Sequence, residues 1–163
     1  MFSLEIETLA RLLIDEARER SLRIVTAESC TGGLVAAAIC AIPGASDVFE
    51  RGFIVYTNRA KQEMLGVPGD LIADLGAVSE PVARMMAEGA LENSNAHLAV
   101  AITGVAGPGG GTPMKPVGTV HIATARSNQA LMHRSELFDD TGREAIQLAA
   151  VQSALEMLRD RMT

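Results

Sequence analysis

The sequence predicts a three-layer α/β/α sandwich built on a mixed five-stranded sheet whose fourth strand runs antiparallel. Two observations lead there. β-branched and apolar stretches alternate with helical patterns along most of the 163 residues, which is the signature of a sheet covered on both faces. The one break is a short polar connection, Ser127-Asn128-Gln129, too short for a parallel crossover, so the two strands it joins are antiparallel neighbours. A chain of this length buries roughly 70% of its unfolded surface and favours one domain, taken here as residues 1–163.

The elements follow in order. Phe2, Ile6, Leu9, Leu13 and Ala17 recur at helical spacing and open the chain with an amphipathic helix. Arg23 to Ala27 reads as a strand, the Glu28-Ser-Cys-Thr-Gly-Gly33 segment as a polar turn, and Leu34 to Ile42 as a small-residue helix stopped by Pro43-Gly44. Phe49 to Tyr56 is a second strand, and Asn58 to Leu65 a helix ending at Gly66. Ser79-Glu80-Pro81 opens a helix reaching Asn95, with Ser79 expected as its cap. His97 to Thr103 is a continuous apolar run, as a central strand requires. Val117 to Arg126 and His133 to Phe138 are the fourth and fifth strands, and Thr141-x-x-Glu144 has the pattern of a capping box opening the last helix.

Composition narrows the function. Fourteen Lys and Arg against 20 Asp and Glu give a net charge of -6, which argues against a surface built to hold nucleic acid. The longest apolar run is nine residues, Leu34 to Ile42, against the ~20 a membrane span needs. The charged N-terminal segment has no signal-peptide pattern, so a cytoplasmic location is expected. Cys30 and Cys40 fall in one apolar stretch read as helical, ten residues or about 15 Å apart, which forbids a disulfide and suits a reducing compartment. No cysteine or histidine has metal-ligand spacing, so no metal is expected. Eight Met and small apolar faces are compatible with a homo-oligomer.

Ligands of open α/β sheets bind at the carboxyl ends of the parallel strands, and each such turn carries polar residues. Ser29 and Thr31 present hydroxyls at a helix N-terminus, a place suited to an anion or to simple capping. Tyr56 and Lys61 follow the second strand. With no histidine near these turns, Lys61 is the base available to a serine, provided that burial lowers its pKa from about 10.4; otherwise it is a solvated surface lysine. Thr103 to Gly111 is too glycine-rich for an ordinary loop yet matches neither a Walker loop nor a strict dinucleotide fingerprint. Its N–H groups can turn towards a phosphate, or it can be a plain turn. Arg143, at the start of the last helix, suits a phosphate or a surface carboxylate.

Ala27-Glu-Ser-Cys-Thr-Gly-Gly33, Pro43-Gly-Ala-Ser46, Gly52 with Tyr56 to Lys61, Leu65-Gly-Val67, Gly76-Ala-Val-Ser-Glu80, Thr103 to Gly110 and Lys115-Pro-Val-Gly-Thr119 resemble, in order and spacing, the CinA C-terminal domain family. The resemblance covers most of the chain. It implies a nicotinamide-nucleotide amidohydrolase that converts nicotinamide mononucleotide to nicotinic acid mononucleotide and ammonia without a metal or organic cofactor. Carried over residue by residue, it makes Ser29 the nucleophile, Lys61 the base and Tyr56 a partner in proton transfer. Backbone groups at Cys30, Thr31 and Gly32 would stabilise the oxyanion, with Thr103, Gly104, Gly107, Gly109, Gly110 and Arg143 holding the nucleotide. The family pattern places a Gly-Asp-Arg-like turn before the last helix, where this chain has Phe138-Asp-Asp-Thr-Gly-Arg143. The alternative implied by the family's link to competence and DNA damage is a regulatory domain that binds a nucleotide without turning it over.

Overall fold

A computed structural model describes residues 1–163. Five strands, β1 (Ile24–Glu28), β2 (Phe49–Ile54), β3 (Leu98–Gly104), β4 (Thr119–Arg126) and β5 (Met132–Leu137), form one sheet in the order β2-β1-β3-β4-β5. β1 pairs in parallel with β2 and β3, while β4 is antiparallel to both of its neighbours. Mixed topology and the antiparallel fourth strand agree with expectation.

Six α-helices cover the sheet: α1 (Leu4–Glu19), α2 (Leu34–Cys40), α3 (Asn58–Leu65), α4 (Gly69–Leu75), α5 (Glu80–Glu92) and α6 (Arg143–Asp160). β1 and most of β3 are fully buried, as central strands sandwiched between helices must be. On one face, Ile6, Leu13 and Ile14 of α1 join Val35 and Ile39 of α2 and Val151, Leu155 and Leu158 of α6 in one core. On the other, Leu65 of α3, Ile72 of α4 and Val82, Ala83, Met86 and Ala87 of α5 pack over Val25, Ala99 and Ala101. The sheet therefore separates two cores, and the loops at the carboxyl ends of β1, β2 and β3 open together at one rim.

The local signals hold unevenly. α3 begins at Asn58 because Thr57 Oγ1 accepts the Ala60 N–H, and it ends where Gly66 takes a left-handed φ of 70°. Neither of the two caps expected further along forms. Ser79 Oγ donates to Gly76 O instead of accepting from α5, and Thr141 leaves the cap position of α6 to Gly142, at φ 118°. The intervening Thr141 N–H donates to Asp139 O, a turn that pulls Thr141 out of register for a capping box. α2 starts only at Leu34, so Cys30 lies in the turn before it rather than in the helix; Cys30 is buried, Cys40 exposed, and both are free thiols. Helix α4 is not foreshadowed by the sequence reading, because Ile72 is its single buried residue and no apolar stripe marks it. No helix is long and apolar enough to cross a membrane.

Candidate active site

The nucleophile turn is fixed by an acid that sequence reasoning left in the loop. Glu28 ends β1 with 1% of its surface exposed. Its Oε1 accepts from Thr31 Oγ1 at 2.6 Å and from the Val35 N–H at 2.9 Å, and its Oε2 from the Ala36 N–H at 3.0 Å. Gly33 at the N-cap of α2 has no side chain to do this, so Glu28 caps the helix from the preceding strand. The cap occupies the positive end of α2 with a resident carboxylate. Thr31, 1% exposed, is spent on that carboxylate, and the Gly32 N–H donates to Ser29 O at 3.0 Å. Neither Thr31 nor Gly32 lines the cleft, which corrects the expectation that both face a ligand.

Ser29 follows Glu28 at the mouth of a cleft of about 270 Å³. Across it stands Lys61, in the first turn of α3 and only 1% exposed. Lys61 Nζ lies 3.0 Å from Ser29 Oγ, 3.0 Å from Val55 O and 3.2 Å from Tyr56 O, and no carboxylate lies within salt-bridge distance. Burial pushes the Lys61 pKa below the ordinary lysine value, against a smaller opposing contribution from the Cys30 thiol. The three contacts fit an ammonium that donates to all three oxygens and equally a neutral amine, whose two N–H groups donate to the carbonyls while its lone pair accepts the Ser29 hydroxyl proton. A lysine with a lowered pKa in hydrogen-bond reach of a serine is the geometry of an activated nucleophile.

Cys30, beside Ser29, carries a thiol poorly suited to act as a nucleophile. Burial pushes its thiol up to about 12, so it stays protonated at neutral pH. Its own N–H has no backbone acceptor, and the same is true of the Thr31 N–H.

Tyr56 enters the site differently from expectation. Its carbonyl accepts from Lys61, but its ring is 58% exposed and its hydroxyl accepts from Arg143 Nη2 at 2.8 Å. Arg143 Nη1 donates to Gly107 O at 2.6 Å, so the first residue of α6 ties the turn after β2 to the glycine loop after β3. Thr103, Gly104, Gly107, Gly109 and Gly110 line the same cleft with Asn58. Thr103 Oγ1 donates to Ala77 O at 2.9 Å, tying β3 to the loop before α5. Gly104 is also required for packing, since a Cβ there would stand 2.8 Å from Thr119 O. Helix α6 supplies one more contact that the sequence reading missed: Gln147 Nε2 donates to Cys30 O at 2.9 Å. Its position four residues after Arg143 puts it on the same helix face, the only hint of it in the sequence. His121 and His133 form an imidazole pair, Nδ1 to Nε2 2.9 Å, on the outer half of the sheet, and no group of three metal-ligating side chains exists.

Comparison with known proteins identifies the family. The model of the CinA C-terminal domain matches residues 6–162. A CinA-like protein of Prochlorococcus marinus is 48% identical over 153 residues, covering 94% of this chain, and one of Akkermansia muciniphila is 57% identical over 118 residues, covering 72%. The chain spans only 36% and 28% of the lengths of these two relatives. Among solved structures, competence/damage inducible protein CihA from Agrobacterium tumefaciens is 50% identical with a TM-score of 0.97, covering 98% of this chain and 97% of that one. A CinA superfamily protein from Escherichia coli is 36% identical with a TM-score of 0.91, over 98% and 92% of the two chains. Ordered motifs, mixed sheet and structural match converge: the chain belongs to the CinA C-terminal domain family.

Proposed function

We propose that this domain hydrolyses the carboxamide of nicotinamide mononucleotide, giving nicotinic acid mononucleotide and ammonia. The observation that carries the reading is the pairing of Ser29 Oγ, at 3.0 Å, with a buried lysine amine that has no carboxylate partner. Ser29 Oγ attacks the carboxamide carbon while Lys61 takes the hydroxyl proton, giving a tetrahedral oxyanion and an ammonium. The Cys30 N–H, without a backbone acceptor in a residue that lines the cleft, is the donor offered to that oxyanion. Lys61 then returns the proton to the departing nitrogen, ammonia leaves, and a serine ester remains. Water, deprotonated by the same amine, cleaves the ester and restores Ser29. Arg143 keeps N–H groups beyond the two given to Gly107 and Tyr56, and with the glycine loop it meets the phosphate. Tyr56 supports the dyad through its carbonyl and holds Arg143 through its hydroxyl. The same reading makes the ligand a small nucleotide rather than a nucleic acid and places the reaction in the cytoplasm.

The test is ammonia release from nicotinamide mononucleotide by the purified domain, with Ser29→Ala and Lys61→Ala beside it. Release lost in both variants is expected. Release that survives Ser29→Ala refutes the serine mechanism, and nucleotide binding with no release by the unmodified protein replaces the enzyme with a binding domain.

A further inference from the structure

Helix α6 grips the nucleophile turn through one side chain. Gln147 stands one helical turn beyond Arg143 and reaches back 117 residues in sequence to donate Nε2–H to Cys30 O at 2.9 Å. A peptide unit points its C=O and N–H in opposite directions, so anchoring the Cys30 carbonyl on α6 aims the Thr31 N–H away from that helix. The other side of the turn is held independently. Ser29 N–H donates to Ile102 O and Ser29 O accepts from Gly32, each at 3.0 Å, and Glu28 holds Thr31 by its hydroxyl. The peptide between Cys30 and Thr31 is thus the one unit of the turn whose carbonyl depends on a side chain from a distant element. The N–H groups of Cys30, Thr31 and Gly33 in this turn have no backbone acceptor, and of these three residues only Cys30 lines the cleft.

We propose that Gln147 is a positioning residue for catalysis at Ser29: by holding the Cys30 carbonyl it fixes Cys30 in the nucleophile turn, and with it the Cys30 N–H that stabilises the oxyanion. The inference rests on Ser29 being the nucleophile of the proposed reaction, but not on the identity of the amide. Gln147 itself makes no hydrogen bond to Ser29 or Lys61 and does not line the cleft. Its loss therefore lowers the rate of acylation without changing the base.

The variants are Gln147→Glu, nearly isosteric but without a donor when ionised; Gln147→Met, apolar and of similar length; and Gln147→Arg, whose Nε–H stands the same number of bonds from the backbone as the Gln amide nitrogen. Two reactions are followed. One is ammonia release from nicotinamide mononucleotide; the other is acylation of Ser29 by 4-nitrophenyl acetate, read by nitrophenolate release and mass of the acyl-protein. Removing a whole oxyanion donor costs about 10²–10³ in kcat. Displacing one is expected to cost roughly tenfold in Gln147→Glu and Gln147→Met, with KM and the acid limb of the pH profile unmoved, and Gln147→Arg staying within about threefold of the parent. Equal acylation rates in all four proteins overturn the proposal. So does a loss that tracks unfolding in urea, or a loss not restored by arginine. A parent that is acylated at Ser29 but releases no ammonia removes the nicotinamide nucleotide as substrate while the ester series still decides the role of Gln147. A parent acylated nowhere at Ser29 overturns both.

Discussion

Replacing Glu28 by glutamine tests the cap that shapes the site. The side chain keeps its size, but one carboxylate oxygen becomes an NH2 group. The amide oxygen keeps most by taking the Oε1 place, where it accepts from Thr31 Oγ1 and the Val35 N–H. The NH2 group then faces the Ala36 N–H, donor against donor, where Oε2 accepted at 3.0 Å. One charge-assisted hydrogen bond is lost, about 1.5–3 kcal/mol, and the attraction of the carboxylate for the helix end goes with it, roughly 0.3–1 kcal/mol. Relief from burying an ionised group opposes these losses in part. Glu28→Gln is expected to lose about 2–3 kcal/mol of stability, a fall in Tm of roughly 4–12 °C for a domain of this size. The assay is urea unfolding at pH 7 followed by far-UV circular dichroism, with the m value checked so that the shift is one of stability rather than of the unfolded state. A Glu28→Gln protein within about 0.5 kcal/mol of the parent, at unchanged m, would refute the reasoning: the carboxylate would then contribute nothing beyond its shape.

Three further outcomes are expected. Gly89→Ala, ordinarily a gain of about 1 kcal/mol inside a helix, reverses sign here, because its Cβ would stand 2.0 Å from Leu65 O at the end of α3; thermal unfolding should show a loss of roughly 2–4 kcal/mol as α3 and α5 are forced apart. Cys30, with its thiol pushed up to about 12, is about one part in 10⁴ thiolate at pH 8, so iodoacetamide should label Cys40 first by peptide mass mapping and Cys30→Ala should keep ammonia release within about threefold. Lys61 must be neutral to act, and burial lowers its pKa, so kcat/KM for nicotinamide mononucleotide should rise with pH along a single limb centred below 10.5. In the same window the unfolded chain holds a proton that folded Lys61 has released, so this group makes stability rise with pH until the unfolded lysine also titrates; in Lys61→Met that rise should vanish from urea unfolding.

Much of the fold is legible because its signals are local and repeated. The apolar run of β3 and the short polar link before β5 settle the mixed sheet, and the reading of α3 as Asn58 to Leu65 with its end at Gly66 holds. What escapes is decided by tertiary geometry. α4 buries Ile72 alone, so no periodicity announces it. Gly142 displaces Thr141 at the head of α6 through a turn fixed between Asp139 and Thr141. The site divides along the same line. Ser29, Tyr56 and Lys61 follow parallel strands, yet Lys61 taken alone reads as a solvated surface lysine until its burial is seen. Glu28 beside a turn looks like any solvated acid, and nothing in residue type says that it reaches forward to α2. The Gln147 side chain finds its hydrogen-bond acceptor 117 residues away, a contact only the packing of α6 against the nucleophile turn creates.

The carbonyls around Lys61 set a limit on how far burial can weaken its basicity. An ammonium has three protons to give, and Ser29 Oγ, Val55 O and Tyr56 O provide three acceptors at 3.0 to 3.2 Å. Those hydrogen bonds favour the charged form, while removal from water disfavours it. A lysine in an apolar pocket without them would lose its proton readily and then hold it too weakly to take one from a serine hydroxyl. A lysine paired with a carboxylate would keep its proton and have no lone pair to offer. Two backbone carbonyls avoid both extremes, because they cannot titrate and carry no net charge. They also orient the amine, since in the neutral state both remaining N–H groups are committed and the lone pair faces Ser29. Val55 and Tyr56 follow β2 at the rim and Lys61 lies in the first turn of α3, so the strand-to-helix connection builds base and acceptors from one short segment. The sheet then needs only to bring Ser29 alongside, which the parallel pairing of β1 with β2 does through the register of Glu28 with Ile54.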